Sequence, residues 1–485
     1  MTNVTRRDAL RAGGFSVAGI AAMLMGACST QTSAGSAGAS SSVSSASEAS
    51  ATSARKLQID SKTGLLARSE FVGIDAEVKL ADGSMKPAIN FDNGATTPSL
   101  TSVVEEIQAQ LPYYGSIGRG KGQKSAHSTE AFNAAHKVVL DFFGAPESTY
   151  TCAFSGTATD ALNKVAGALC EEGAIVLTTR SEHHANDLPW RLHAAEVRYV
   201  EVDDKGRLRM EDFKTHLADK KVNVVSVQAA SNVTGYVHDV HAIAKLAHEA
   251  GAFMVVDGAQ ISSHRAFSLK GTAEAEDIDF FVCSAHKMYA PFGGGCIIGK
   301  TDIMNAHVPV YRGGGMVDVV TDYDATWLKT PELWEAGTPN YFGQIGLAKA
   351  CEALNTVGFE AIEAHEQTLL RRALDGLMDI KGITLYADSN KIDDRVGVLT
   401  FNVDKFDAAD VAKKFADKWA IAVRQGEFCA HPLCHRLMDI SDAQILAERD
   451  KPGFSAPAMV RISMGMYNTE KDVDTLIEAV KEIAG

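Results

Sequence analysis

The apolar residues in the middle of the chain form short runs that are separated by helical patterns. Six runs rich in β-branched and aromatic residues have the length of a buried strand, and they cover residues 174–178, 197–202, 222–228, 253–256, 280–283 and 296–299. The helical patterns between them are clearest at residues 240–250. Strands that alternate with helices predict a mostly parallel sheet covered by helices. In such folds, ligands bind beyond the carboxyl ends of the strands.

Two further helical patterns flank this region. One is predicted to begin near residue 128, because apolar side chains at 132, 135, 139 and 142 fall on one helical face. The other runs from residue 342 towards 377. Beyond it, strand patterns at 396–403 and 420–424 and helical patterns at 408–419 and 472–483 predict a smaller α+β domain. We therefore predict an α/β protein with an N-terminal segment at 56–89, a large domain at 90–345 and a small domain at 346–485.

Residues 1–28 have the features of an export leader. Arg6 and Arg7 are the paired arginines of a twin-arginine signal, and the apolar run that follows at 15–27 is too short for a typical spanning helix. Small residues then precede Cys28, as in a lipoprotein cleavage box, which makes Cys28 the predicted lipidation site. Residues 29–55 are mostly Ser, Ala, Thr and Gly and predict a flexible tether. We expect twin-arginine export and lipid anchoring on the outer side of the cytoplasmic membrane.

Composition narrows the classes of protein that fit this pattern. The chain has 485 residues, of which 46% are hydrophobic and 22% charged, as in ordinary globular proteins. A formal net charge of −14 argues against a nucleic-acid partner, which would favour a basic face. After the leader, no stretch is long and apolar enough to span a membrane. The cysteines other than Cys28 are odd in number and do not have the spacing of a disulfide framework, so at least one free thiol is expected.

An acid and a lysine follow two of the strand-like runs. Asp257 comes after the run at 253–256, and Lys287 lies shortly after the run at 280–283. A lysine can form a Schiff base with the aldehyde of pyridoxal 5'-phosphate (PLP), and an acid can keep the pyridine nitrogen protonated. Either residue alone is better explained as a surface charge. Together, and with Gln260, Ser284 and His286 beside them, they favour a PLP site.

Other loops after strands carry weaker candidates. Thr157 begins a helical pattern, where its hydroxyl and the backbone N–H groups suit a phosphate, although a threonine there is often only a cap. His183 could stack on a cofactor ring and pass protons, or belong to a surface histidine pair with His184. Adjacent loop residues rarely both reach one ion, so no metal site is predicted. Asn232 could bond a cofactor phenolate oxygen or be an ordinary turn residue.

A series of short motifs follows in order from Phe91 to the C-terminus. They are Asp92-Asn93-Gly94-Ala95-Thr96-Thr97, Glu182-His183-His184-Ala185-Asn186 with Pro189-Trp190, Val256-Asp257-Gly258-Ala259-Gln260, Ser284-Ala285-His286-Lys287-Met288-Tyr289, Glu335-Ala336-Gly337-Thr338-Pro339-Asn340, Val423-Arg424-Gln425-Gly426 and Met466-Tyr467-Asn468-Thr469. Through these motifs the chain resembles the class V aminotransferase superfamily and, within it, the group II (Suf-type) cysteine desulfurases and selenocysteine lyases.

The resemblance implies fold type I of the PLP-dependent enzymes, a homodimer, and a role for each matching residue. Lys287 would carry PLP, Asp257 would pair with the pyridinium nitrogen, Gln260 and Asn232 would contact the phenolate oxygen, and His183 would stack on the ring. Thr157, Ser284 and His286 would hold the phosphate, Thr338 would reach the phosphate of the neighbouring subunit, and Arg461 would bind the substrate carboxylate.

Cys429 matches the position of the family's nucleophilic cysteine, which requires a thiolate on an accessible loop. The alternative is a structural cysteine in an exported relative with other chemistry. Glu427-Phe428 replaces a His-rich pair, and an acid two residues away disfavours a thiolate. Ala158 stands where the family often has a second threonine, and residues 439–457 resemble an insertion. A metal or haem motif from Cys429, Cys434 and the nearby histidines lacks Cys-x-x-Cys-His spacing and is disfavoured.

The resemblance therefore implies conversion of L-cysteine to L-alanine, with sulfur carried on Cys429 as a persulfide and passed to an acceptor protein or thiol. Other chemistry on an amino acid, as in a lyase, an epimerase or an aminotransferase, keeps the same cofactor site. A lipid-tethered binding protein that has lost catalysis is a further alternative, which an intact Lys287, Asp257 and Arg461 disfavour.

Overall fold

The computed structural model describes residues 56–118 and 120–485. The predicted leader, the tether and the lipidation site at Cys28 lie outside these residues. In the described part of the chain, the strands in chain order are β1 Glu77–Lys79, β2 Met85–Pro87, β3 Ile89–Asn90, β4 Tyr150–Ser155, β5 Ile175–Thr179, β6 Glu196–Val200, β7 Val224–Gln228, β8 Phe253–Asp257, β9 Phe280–Ser284, β10 Gly295–Lys300, β11 Val317–Val320, β12 Ala325–Trp327, β13 Ile383–Leu385, β14 Val398–Val403, β15 Ile421–Ala422, β16 Arg424–Gly426 and β17 Met459–Ser463.

The α-helices of the same residues account for the remaining regular structure, apart from short 3-10 turns and one π-helical stretch at Phe415–Trp419. They are α1 Thr101–Gln110, α2 Gln123–Phe142, α3 Ala158–Leu169, α4 Leu188–His193, α5 Met210–Leu217, α6 Val240–Ala250, α7 Thr301–Ala306, α8 Tyr341–Val357, α9 Phe359–Met378, α10 Ala408–Lys414, α11 His431–Leu437, α12 Asp442–Glu448 and α13 Glu470–Ala484.

A seven-stranded sheet forms the centre of the large domain, with the order β4-β10-β9-β8-β7-β5-β6. The neighbours from β9 to β6 are parallel, and β10 is antiparallel to both β9 and β4. Both faces of this sheet are covered, because Val255 packs into one group of buried residues while Met254 and Val256 pack into another. The predicted mostly parallel sheet and the α/β class are confirmed.

The C-terminal part has its own antiparallel sheet, ordered β13-β14-β17-β16, against which α9 and α13 pack. Leu369 of α9, Phe401 of β14, Val460 of β17 and Leu476 of α13 lie in one buried cluster. The side chain of Thr469 caps α13 by accepting a hydrogen bond from the backbone of Asp472. This sheet therefore has a core of its own, as an α+β unit requires.

Several predicted boundaries were wrong. The helix expected from residue 342 towards 377 is two helices, because Gly358 between them has a φ of 83° that a helix cannot continue through. The strand expected at 420–424 is divided between β15 and β16, which belong to different sheets. The helix expected near residue 128 begins earlier, at Gln123. Strand β4 was not predicted at all, because its six residues do not show a distinct apolar run.

Candidate active site

The loops that follow four neighbouring parallel strands carry the predicted site residues to one edge of the large sheet. Asp257 ends β8, and a turn at Ala285–Lys287 follows β9 directly. His183 follows β5 and Asn232 follows β7. Because the carboxyl ends of parallel strands meet at one edge, these loops surround a single cavity of about 560 Å³.

The structure brings nearly all of the predicted site residues to this cavity. Its lining includes Thr157, His183, Asn232, Asp257, Gln260, Ser284, His286, Lys287, Cys429 and Arg461. Thr338 is the exception, since it lies in a separate pocket of about 170 Å³ beside Gly156. Its predicted contact with a neighbouring subunit stays a prediction, as do the individual roles of the other residues.

Burial changes the protonation of the central lysine and acid in opposite directions. Burial lowers the pKa of Lys287 to about 8, and the charge of Arg461 adds to this effect, while the charge of Asp257 opposes it. The carboxyl of Asp257 is buried, and burial raises its pKa, although the charge of Lys287 and a 2.9 Å hydrogen bond from the amide of Ala259 work against that shift. Lys287 therefore has a larger neutral, nucleophilic fraction than an exposed lysine.

A hydroxyl-rich turn closes one end of the cavity. The hydroxyl of Thr157 accepts a hydrogen bond from the amide of Asp160 and so caps α3, while the amide of Ala158 donates to the hydroxyl of Ser284 at 2.7 Å. His286 lies nearby, and its burial lowers its pKa to about 4. A helix N-terminus with two hydroxyls and a neutral imidazole can donate hydrogen bonds to a phosphate.

Three predicted ligands leave buried polar atoms without a partner at the cavity. These atoms are Oδ1 of Asn232, Oε1 of Gln260 and Nε of Arg461. Buried polar atoms are nearly always hydrogen-bonded, so this cluster fits a polar group that the protein itself does not supply. A half turn of the Gln260 amide would present an N–H to a phenolate oxygen. The donor set, the acid and the lysine together fit PLP.

His183 is held as a neutral ring over the cavity. Its Nδ1 accepts a hydrogen bond of 3.1 Å from the amide of Ala185, so Nε2 carries the proton. Burial and the neighbouring positive charge of Lys287 lower its pKa to about 3. The residue before it, Glu182, was not singled out from the sequence, and its carboxyl accepts hydrogen bonds from Asn186 and from the amide of Gln228. Burial raises the pKa of Glu182 to about 8.

At the end of the cavity that is predicted to bind the substrate carboxylate, two arginines contact one acid. Arg461, on β17, is 2% exposed and donates to the backbone oxygen of Asn232 at 3.0 Å and to Asp92 at 3.2 Å. Arg424 lies 3.3 Å from the other oxygen of Asp92. Sequence reasoning assigned no role to Asp92 or Arg424, although both lie within matched motifs. The positive charges of Arg461 and Arg424 make this end of the cavity favourable for an anion.

Cys429 lies at the mouth of the cavity with its side chain exposed. Among the other cysteines of the described residues, Cys170 is partly exposed and the rest are buried. None of the cysteines in these residues forms a disulfide. The acid expected to disfavour a thiolate, Glu427, is partly buried, and its carboxylate accepts a hydrogen bond from Nε2 of His435 and lies 3.7 Å from His431. The carboxylate is therefore engaged by imidazoles of the helix that follows Cys429.

In residues 56–118 and 120–485, no group of three or more His, Cys, Asp or Glu side chains could hold a metal ion. No helix in the same residues is long and apolar enough to cross a membrane.

Comparison with known proteins agrees with this geometry. A family profile described as Aminotransferase class-V matches residues 89–476. The chain belongs to the class V aminotransferase family. A cysteine desulfurase of Haloferax volcanii is 35% identical over 408 residues, which cover 82% of this chain and 90% of that protein. A cysteine desulfurase of Escherichia coli is 33% identical over 407 residues, covering 82% of this chain and 93% of that protein.

Solved structures of class V relatives have the same fold. The apo structure of cysteine desulfurase from Thermococcus onnurineus NA1 is 30% identical and has a TM-score of 0.73, covering 82% of this chain and 94% of that one. The cysteine desulfurase CsdA of Escherichia coli has a TM-score of 0.69 at 28% identity and covers 81% of this chain and 94% of its own. The chain is thus a PLP-dependent enzyme of fold type I, as its motifs predicted.

Proposed function

We propose that this enzyme is a cysteine desulfurase that converts L-cysteine to L-alanine and holds the sulfur on Cys429. One observation carries the proposal: an exposed thiol lies at the mouth of the same cavity that contains Lys287 and the carboxylate-binding Arg461. The relatives at 33% to 35% identity that bear this activity in their names support it.

The residues of the cavity divide the reaction between them. Arg461 binds the substrate carboxylate through its unpartnered Nε. PLP, held by the residues that fit it, would withdraw electrons from the substrate Cα. The amine of Lys287 then moves the Cα proton, since its lowered pKa of about 8 allows it to act as a base near neutral pH.

Sulfur transfer takes place at the mouth of the cavity. The thiolate of Cys429 attacks the substrate sulfur, so that an S–S bond forms while the Cβ–S bond breaks. The electron pair of the broken bond stays on the carbon skeleton, which takes up a proton to give alanine. The exposed position of Cys429 leaves the persulfide accessible to a thiol or an acceptor protein.

Product analysis tests this function. Purified enzyme loaded with PLP and supplied with L-cysteine is expected to form alanine and persulfide sulfur in equal amounts, measured by amino-acid chromatography and sulfide release with added thiol. Pyruvate in place of alanine would assign a lyase. A protein that forms no product and gains no visible absorbance with PLP would be a non-catalytic binding protein.

The rate of PLP loading is expected to rise with pH. The attack of Lys287 on the PLP aldehyde needs the neutral amine, whose fraction rises about tenfold per pH unit below its pKa of about 8 and levels off above it. The growth of visible absorbance after mixing cofactor-free enzyme with PLP measures this rate. Asp257→Asn removes the charge that raises this pKa, so its plateau should begin at lower pH. A wild-type rate that kept rising past pH 10, as for an ordinary lysine, would contradict the assignment.

We also propose that the protein is exported by the twin-arginine route, anchored by a lipid on Cys28, and assembled as a homodimer. The paired Arg6 and Arg7 support export. The position of Thr338, outside the cavity of its own chain, supports a partner subunit as its target. Recovery of uncleaved monomer from the cytosol would contradict all three proposals.

A further inference from the structure

Phe428 and its neighbour Cys429 both line the cavity but differ in burial. Phe428 is 8% exposed, whereas Cys429 is exposed. Both residues have a positive φ, 50° and 55° respectively, which is unfavourable for a bulky side chain. A conformation of this kind persists only where surrounding contacts hold it in place.

Backbone contacts hold both residues in this conformation. The side-chain amide of Asn232 donates to the backbone oxygen of Phe428 at 2.8 Å, and the amide of His184 donates to the backbone oxygen of Cys429 at 2.6 Å. The amide of Ala430 closes the turn by donating to the oxygen of Glu427 at 2.8 Å. The inward position of the Phe428 ring is therefore built into the loop.

The ring meets the arginine that binds the substrate carboxylate. The guanidinium carbon of Arg461 lies over the Phe428 ring, 5.1 Å from its centroid. The terminal nitrogens of this guanidinium already donate to the backbone of Asn232 and to Asp92, whereas Nε has no partner. The ring thus covers a face of the cation, and Nε is the guanidinium nitrogen left buried without a partner.

We infer that Phe428 is a specificity-determining residue that shapes the carboxylate subsite around Arg461. Covering the guanidinium with an aromatic face fixes its orientation and keeps water from it, which strengthens an ion pair with the substrate. The same ring fills space beside Arg461 and so favours an amino acid with one carboxylate and a short side chain. The inference rests on the proposed function in taking an amino acid as the substrate, and it assigns Phe428 to recognition and not to sulfur transfer.

Substitutions at Phe428 separate the effect of the ring from that of its volume. Phe428→Leu keeps an apolar side chain without a π face, and it is expected to raise the Kd for L-alanine and the KM for L-cysteine by about tenfold. Its kcat should fall much less than its KM rises. Phe428→Tyr keeps the ring and should stay within about twofold of wild type. The Kd is measured from the change in visible absorbance of the PLP-loaded enzyme on adding L-alanine.

Selectivity gives a second measurement. Phe428→Ala should lower the ratio of the Kd for L-leucine to the Kd for L-alanine in the same titration, because this substitution opens space beside Arg461. Phe454→Ala is the control, since Phe454 is exposed and does not line the cavity. If Phe428→Leu does not fold, Phe428→Asn carries the same expectation, because asparagine tolerates a left-handed backbone.

The outcomes distinguish this inference from the proposed function. An alanine Kd within twofold of wild type for the Leu variant would overturn the role of Phe428, even in an enzyme that makes alanine from cysteine. An equal loss of affinity in the Tyr and Leu variants would also overturn it. If wild type bound alanine but formed none from cysteine, the proposed function would fail while the titration still tested Phe428.

Discussion

Lys287→Ala is expected to lower alanine formation from L-cysteine by about a thousandfold, because it removes both the cofactor's attachment point and the proposed base. Lys287 is the one lysine among the described residues that line the cavity, so no neighbouring amine there can replace it. Borohydride reduction should fix PLP to a Lys287 peptide in the wild type and leave the variant unlabelled. Alanine chromatography measures the rate.

A matched control separates this effect from a general loss of stability. Lys300 is also partly buried and is paired with Asp279 at 2.7 Å, but it does not line the cavity. Lys300→Ala should therefore retain the attached cofactor and most of the activity. If Lys287→Ala kept a covalently attached PLP, or turned over at a rate within tenfold of wild type, the assignment of Lys287 would be wrong.

Cys429→Ser is the second large effect that we expect. It should lower alanine formation by about a hundredfold or more, because a serine hydroxyl is a far weaker nucleophile than a thiolate towards sulfur. The visible absorbance of the bound cofactor should not change, since Cys429 lies at the mouth of the cavity and is exposed. Mass spectrometry of the wild type after brief exposure to cysteine should find one added sulfur atom on the Cys429 peptide.

The control for this experiment is another cysteine with partial exposure. Cys170 follows α3 and does not line the cavity, so Cys170→Ser should retain activity and gain no sulfur. Undiminished sulfur release by Cys429→Ser would exclude the nucleophilic role. Loss of cofactor absorbance in Cys429→Ser would instead indicate that the cysteine supports the structure of the site.

Much of the fold could be predicted because buried parallel strands have a strong local signal. All six predicted strands occur in the large sheet, and all but the edge strand β6 are apolar runs that the sheet buries almost completely. Strand β4 lacks such a run and was missed. The break between α8 and α9 was missed as well, because the apolar periodicity continues on both sides of Gly358, whose φ of 83° ends the first helix.

The residues of the candidate site could likewise be predicted only in part from the sequence. Asp257 and Lys287 could be assigned together because parallel strands carry their carboxyl ends to one edge, and β8 and β9 are adjacent and parallel. The pairing with His435 of Glu427, the acid two residues before Cys429, was not predicted. Likewise, nothing local to Arg424 indicates that it shares Asp92 with Arg461, because Asp92 lies more than three hundred residues away from both.

The sequence by itself therefore determined the fold class, the family, the cofactor chemistry and most of the residues at the site, because these depend on apolar periodicity and on ordered motifs. The tertiary structure alone decided how those residues act on one another. The lowered pKa of Lys287, the covered guanidinium of Arg461 and the left-handed turn at Phe428 and Cys429 all arise from burial and from contacts between distant segments. Local sequence does not encode such contacts, since charge, desolvation and packing act through space.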